Sequence, residues 1–244
     1  SRNAHGIIGP ISLDQFTPEA LQQSIAANPL ASQAYQAGSK PRIAVVTNST
    51  YDGLCYNAEK IAEEIGSAVD FLHFDEAWYA YAAFHPFYEN HYGMAKGKPR
   101  EQDAIIFTTH STHKLLAAFS QASMIHVRNS ASRDLDAERF NESFMMHTST
   151  SPHYGVIAAC DVASKMMEGD AGRSLVQEMH DEAIAFRRAM LHVRDDLGRD
   201  DWWFSVWQPT KVERSLDKGD TPAPLVAKRE EWYLQPDAHW HGFE

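Results

Sequence analysis

The residues with the most chemical promise stand together in Ser111-Thr112-His113-Lys114. They follow the apolar run Ala104-Ile105-Ile106-Phe107 and its polar end, and they precede Leu115-Leu116-Ala117-Ala118, which reads as helical. A lysine held at the end of a buried strand is partly desolvated, which disfavours the ammonium and frees the amine for nucleophilic attack. That is what a Schiff-base lysine requires. Ser111 and His113 beside it could bind a phosphate; the plainer alternative is a solvated lysine at a helix start. Asp75 ends a second apolar run, Val69 to Phe74, where an acid is costly unless it meets a cation or several donors. A protonated pyridine nitrogen is one such cation, and an acid capping the next turn is the alternative. Together, a lysine and an acid at the ends of successive buried runs supply what pyridoxal phosphate chemistry needs.

The elements that must position this pair follow from the pattern. Thr17-Pro18-Glu19 reads as an N-cap, an N1 proline and a first-turn acid, opening a helix that Asn28-Pro29 breaks. Ile43-Ala44-Val45-Val46 is a short apolar run ending in Thr47-Asn48-Ser49-Thr50. Asn57 to Ile65 is helical, with Ile61, Ala62 and Ile65 on one face. Runs without alternation are expected to be buried on both faces, as in parallel-rich sheets, and strand–helix–strand order argues for an α/β fold. Ligands of such sheets sit beyond the carboxyl ends of the strands, where Thr47 to Thr50, Asp75 and Thr108 to His113 cluster. The spacing predicts the longest helix over 174–197, opened by a Ser174-x-x-Gln177 capping box and stopped by Gly198. The residues 155 to 167 are apolar enough for a buried helix. Beyond Gly198, Trp202 to Trp207 and Glu231 to Leu234 read as strands of a second, incomplete unit.

Composition narrows the classes. Of 244 residues 43% are hydrophobic, an ordinary globular balance that argues against disorder. Lys and Arg number 22 against 33 Asp and Glu, so a net charge of −11 disfavours nucleic acid and anionic membranes as partners. No run approaches the about 18 apolar residues of a membrane span. No signal peptide is read at Ser1-Arg2-Asn3-Ala4-His5, and two cysteines, Cys55 and Cys160, suit a reducing, cytoplasmic setting. His110-x-x-His113 and His239-x-His241 lack a third ligand at a convincing spacing, so no metal is expected.

Two longer stretches carry a family resemblance. Phe71-Leu72-His73-Phe74-Asp75-Glu76-Ala77-Trp78-Tyr79, followed by Thr109-His110-Ser111-Thr112-His113-Lys114-Leu115-Leu116-Ala117-Ala118-Phe119-Ser120-Gln121-Ala122-Ser123, resembles the bacterial ornithine/lysine/arginine decarboxylases. Asn141 to Tyr154 and Val46 to Leu54 are similar to further segments of that family, and the resemblance runs from Gly6 to Phe243. It implies the aspartate aminotransferase fold (fold type I): a central mixed, mostly parallel sheet sandwiched by helices, over residues 1–198. The start of a small α+β domain would follow over 199–244. The family's amino-terminal wing, serine/threonine-rich phosphate loop and ring-stacking histidine lie upstream of the matching region, so this sequence reads as a central portion.

The resemblance also implies roles. Pyridoxal 5′-phosphate would be held by Lys114 as a Schiff base, with Asp75 on the pyridine nitrogen, Ser111 and His113 by the phosphate, and Trp78 beside the ring. Ser149 and Thr150, within Thr148 to Ser151, would reach the phosphate of a neighbouring subunit, which implies a homodimer at least, or a ring of dimers. The substrate would be a basic amino acid that loses carbon dioxide, with Lys114 or His113 returning the proton to Cα. Trp202 to Pro209 and Ser151 to Tyr154 are more similar to the lysine branch, giving cadaverine. Cys55-Tyr56-Asn57 and Glu76 to Tyr79 also resemble the arginine branch, and ornithine is a further alternative. The rival class is a non-catalytic slice that keeps only a structural or dimerising surface.

Overall fold

The apolar runs become the strands of one sheet. In the structure, a computed structural model, residues 11, 13–51, 53, 55–95, 104–197 and 206 are described. The strands are β1 (Ile43–Thr47), β2 (Phe71–Asp75), β3 (Ile105–His110) and β4 (Met124–Arg128), in the spatial order β1-β2-β3-β4. The first two pairings are parallel and the third is antiparallel, so the sheet is mixed and mostly parallel, as expected. In register, Thr47 faces Asp75 and Asp75 faces Thr109. The three parallel strands thus end level, and their polar termini share one edge of the sheet.

The connections explain why. Thr17 caps α1 (Pro18–Ala27), its Oγ1 accepting from Ala20 N at 3.2 Å. Asn57 caps α3 (Ala58–Ile65) in the same way, through Lys60 N at 3.0 Å. A short α2 (Gln33–Gln36) lies between them. Ile61 and Ile65 on the apolar stripe of α3 are buried against Val46, Leu72, Phe74 and Ile106 of the strands, with Phe16 and Tyr56 packed edge to face at 5.3 Å. At the amino ends of the strands, Asp70 ties three segments together through Arg42 (2.7 Å), Lys40 (3.4 Å) and Arg133 (3.1 Å). After α4 (Thr112–Leu115) and β4 come α5 (Ala137–His147), α6 (Tyr154–Met166) and α7 (Gly169–Leu197).

Four expectations need correction or enlargement. β4 was not expected from the sequence; it closes the described sheet with an antiparallel pairing. The runs are not buried on both faces throughout: Val45 and Ile125 are 61% and 47% exposed, because the described residues cover those two strands only on their other side. The longest helix starts at Gly169, so Ser174 lies inside it and caps nothing. Gly169 makes the turn at φ 61°, and the α6–α7 corner is so tight that a Cβ on Gly172 would lie 2.1 Å from the Met167 carbonyl oxygen. Finally, α6 leaves Tyr154, Ile157 and Val162 exposed in the single chain; the burial expected for 155–167 is beneath a contact with a neighbouring subunit. The expected strands at 202–207 and 231–234, the stop at Gly198 and the second domain lie outside the described residues, except Val206.

Ile61 has no exposed surface, so Ile61→Ala opens a cavity in the packed face of α3. The expected cost is about 3 kcal/mol in chemical denaturation; a cost below about 1 kcal/mol would contradict this packing.

Candidate functional site

β2 and β3 deliver the two residues singled out by type. Asp75 is the last residue of β2, half-buried, and its Oδ1 accepts from Ala77 N at 3.2 Å. Among the described residues, Oδ2 has no hydrogen-bond partner and no cation pairs with the carboxylate. Its cross-strand partner Thr109 is followed by His110 and by Ser111, which occupies the N-cap position of α4 without a side-chain cap bond. Lys114 lies one turn on, its N–H donating to the Ser111 carbonyl at 3.0 Å. The half-buried Lys114 Nζ sits 4.9 Å from the centre of the Trp78 ring, and the indole meets Tyr51 edge to face at 5.5 Å. A cation over an indole face is stabilised by the ring quadrupole. Trp78 is therefore a wall between Lys114 and the loop after β1.

His113 turns the other way along α4. Its Nδ1 lies 2.9 Å from the Ala122 carbonyl oxygen, and its backbone N–H donates to the same oxygen. A carbonyl only accepts, so Nδ1 carries the proton and Nε2 is left for exchange. Ser149 and Thr150 are exposed, in a turn where Ser149 Oγ accepts from Ser151 N at 3.1 Å. Among the described residues, no hydrogen bond or ring contact joins that turn to Asp75 or Lys114. The structure thus gathers Asp75, Trp78, Ser111 and Lys114 at one sheet edge, anchors His113 to the 119–122 loop, and leaves Ser149 and Thr150 apart.

Behind this edge lies a network that the sequence reading missed. Glu76 is fully buried, yet both its oxygens are bonded. Oε1 accepts from Asn48 Nδ2 (2.9 Å) and Gly93 N (2.6 Å), and Oε2 lies 2.9 Å from His110 Nε2. Asn48 also donates to the His91 carbonyl (2.9 Å) and accepts from Tyr56 N (3.1 Å). The His126 ring is 4.9 Å from that of His110; burial and then the neighbouring His110 push the His126 imidazole below its ordinary range, with Glu76 opposing. Nearby, burial pushes the Cys55 thiol up to about 11, so it is no nucleophile at neutral pH. An acid directly after Asp75, inside an otherwise apolar stretch, was the signal available for Glu76.

The donor set fits pyridoxal phosphate. A carboxylate with one oxygen unengaged suits a pyridinium N–H, an amine without an ion-pair partner among the described residues suits an aldehyde, and the Ser111 hydroxyl is not spent on capping. Among the described residues, no group of three or more His, Cys, Asp or Glu converges to hold a metal ion.

A sequence model described as the major domain of the Orn/Lys/Arg decarboxylases matches residues 1–244. The chain is 57% identical over 244 residues to a lysine decarboxylase, LdcA, of Pseudomonas aeruginosa, covering 99% of this chain and 30% of that protein. It is 45% identical over 252 residues to a biodegradative arginine decarboxylase of Escherichia coli, covering all of this chain and 33% of the relative. The solved structure of lysine decarboxylase A from Pseudomonas aeruginosa superposes with a TM-score of 0.82 at 57% identity, over 100% of this chain and 31% of the other. The fold class implied by the sequence resemblance is thereby borne out. The chain spans about 30% of the length of the first of these relatives.

Gly93 sits where a side chain has no room: a Cβ would lie 2.5 Å from Thr108 Cγ2 and 2.7 Å from Phe74 Cδ2. Gly93→Ala should push its N–H off Glu76 and cost about 2 kcal/mol of stability. An unchanged denaturation midpoint would show that this close approach is dispensable.

Proposed function

We propose, because this chain belongs to the Orn/Lys/Arg decarboxylase family, that the full-length protein decarboxylates a basic amino acid with pyridoxal 5′-phosphate, and that the amino acid is lysine. The observation that carries the reading is the register of β2 against β3. It sets Asp75 beside the strand whose end bears Ser111 and Lys114. The similarity to a lysine decarboxylase at 57% identity, against 45% for the arginine enzyme, supports lysine over arginine.

The residue roles follow from chemistry. Lys114 would hold the cofactor through its amine, and Asp75 would keep a proton on the ring nitrogen. Ser111 would donate to the phosphate, and Trp78 would flank the ring and shield Lys114 from water. When bound, pyridoxal phosphate supplies the electron sink for the pair left on Cα as carbon dioxide departs. Lys114 would return a proton to that carbon. His113 is the second candidate: its Nδ1 proton is fixed on Ala122 and its Nε2 can exchange one.

We also propose a homodimer. Exposed apolar residues on α6 and the exposed 148–151 turn support it, with Ser149 and Thr150 serving the cofactor held by the other protomer. Among the described residues no helix is long and apolar enough to cross a membrane.

Asp75→Asn should lower kcat by about 100-fold or more while KM changes little, because the carboxylate matters most as charge enters the ring. Weakened substrate binding with an unchanged kcat would contradict that role. Mixing Lys114→Ala chains with a Ser149→Ala, Thr150→Ala double variant tests the shared site. Each heterodimer would hold one intact site and one doubly altered site, so activity should return on mixing. Demonstrated heterodimers without activity would show that the hydroxyls act within their own chain.

A further inference from the structure

We infer that the buried Glu76–His110 pair is a positioning device that fixes the Lys114 turn against the Asp75 end of β2; this rests on the proposed decarboxylase reading. Glu76 is joined to both halves of the site. Its backbone follows Asp75, and its carbonyl accepts from Tyr79 N at 2.9 Å, closing the turn that carries Trp78. Its side chain reaches across to His110, the last residue of β3, one position before the N-cap of α4. Any shift of His110 is passed directly to Ser111 and, through the 3.0 Å bond from Lys114 N to the Ser111 carbonyl, to Lys114.

A carboxyl group with no exposed surface is costly and persists only where its donors are fixed. Here the donors come from three separate segments: Asn48 after β1, Gly93, and His110. The contact with His110 is a hydrogen bond wherever the shared proton sits. Neither Glu76 nor His110 need touch a substrate for this role, since each acts through the backbone beside it. Misplacement of a reacting group by about 1 Å costs on the order of 100-fold in rate, so a small slip of α4 should be felt in turnover.

The test uses the full-length protein loaded with pyridoxal phosphate, and also the cofactor-free form. Glu76→Gln is nearly isosteric and keeps an acceptor for Asn48 and Gly93. It should lower kcat by about 10- to 100-fold with KM nearly unchanged and cofactor content still stoichiometric. In the cofactor-free form, hydrogen–deuterium exchange should quicken in peptides spanning 110–116 while the buried strands stay protected. His110→Gln, whose amide can still donate to Glu76, should recover most of the turnover that His110→Ala loses. Three results would overturn the proposal: wild-type turnover in Glu76→Gln, a loss that tracks cofactor content alone, or exchange that rises equally across the whole sheet. A wild-type protein that decarboxylates no basic amino acid would sink the functional reading instead, and the exchange pattern would then decide the clamp by itself.

Discussion

The constraint on which the site depends is a fully buried carboxyl group. Glu76 has no accessible surface, so each of its oxygens must find donors inside the fold. It finds Asn48, Gly93 and His110, and each is drawn from a different stretch of chain. That single requirement brings the carboxyl ends of β1, β2 and β3 into one fixed arrangement. It also explains a glycine at 93, where any Cβ would collide with Phe74 and Thr108. Ser49, directly after Asn48, takes a left-handed backbone (φ 82°), a conformation costing on the order of 1 kcal/mol for a residue that is not glycine. The well-bonded Asn48 holds it there, and the loop then carries Tyr51 onto Trp78.

The chemistry is layered over this frame. Asp75 and Glu76 are neighbours with opposite surroundings: Asp75 keeps one oxygen unengaged among the described residues, whereas Glu76 is bonded at both. Asp75 is half-buried at the end of β2 and Glu76, just beyond it, is fully buried. One acid is therefore available for a ligand while the next fixes the loops around it. On α4, where about 3.6 residues make a turn and successive side chains point about 100° apart, Lys114 lies over the Trp78 ring while His113 is held on Ala122.

Much of this was legible in the sequence. Continuous apolar runs marked β1 to β3, and Thr17 and Asn57 announced their helices as caps do. Lys114 and Asp75 stood out because a charge at the end of a buried run demands a partner. β4 escaped because Met124-Ile125-His126-Val127-Arg128 alternates in side-chain character and pairs antiparallel, unlike the runs before it. The start of α7 was misplaced because Ser174 and Gln177 mimic a capping box, while the turn at Gly169 depends on packing against α6 that local sequence does not reveal. Glu76 was passed over for a deeper reason. Its donors lie 28, 17 and 34 residues away, and only the assembled sheet shows that they converge.

The central claim is that this chain carries the attachment point for pyridoxal phosphate and that the point is Lys114. Reducing the loaded, full-length protein with borohydride and mapping its peptides tests this directly. The account predicts a phosphopyridoxyl mark on Lys114, one per chain. A mark on another lysine, or no mark on a protein that demonstrably binds the cofactor, would contradict it.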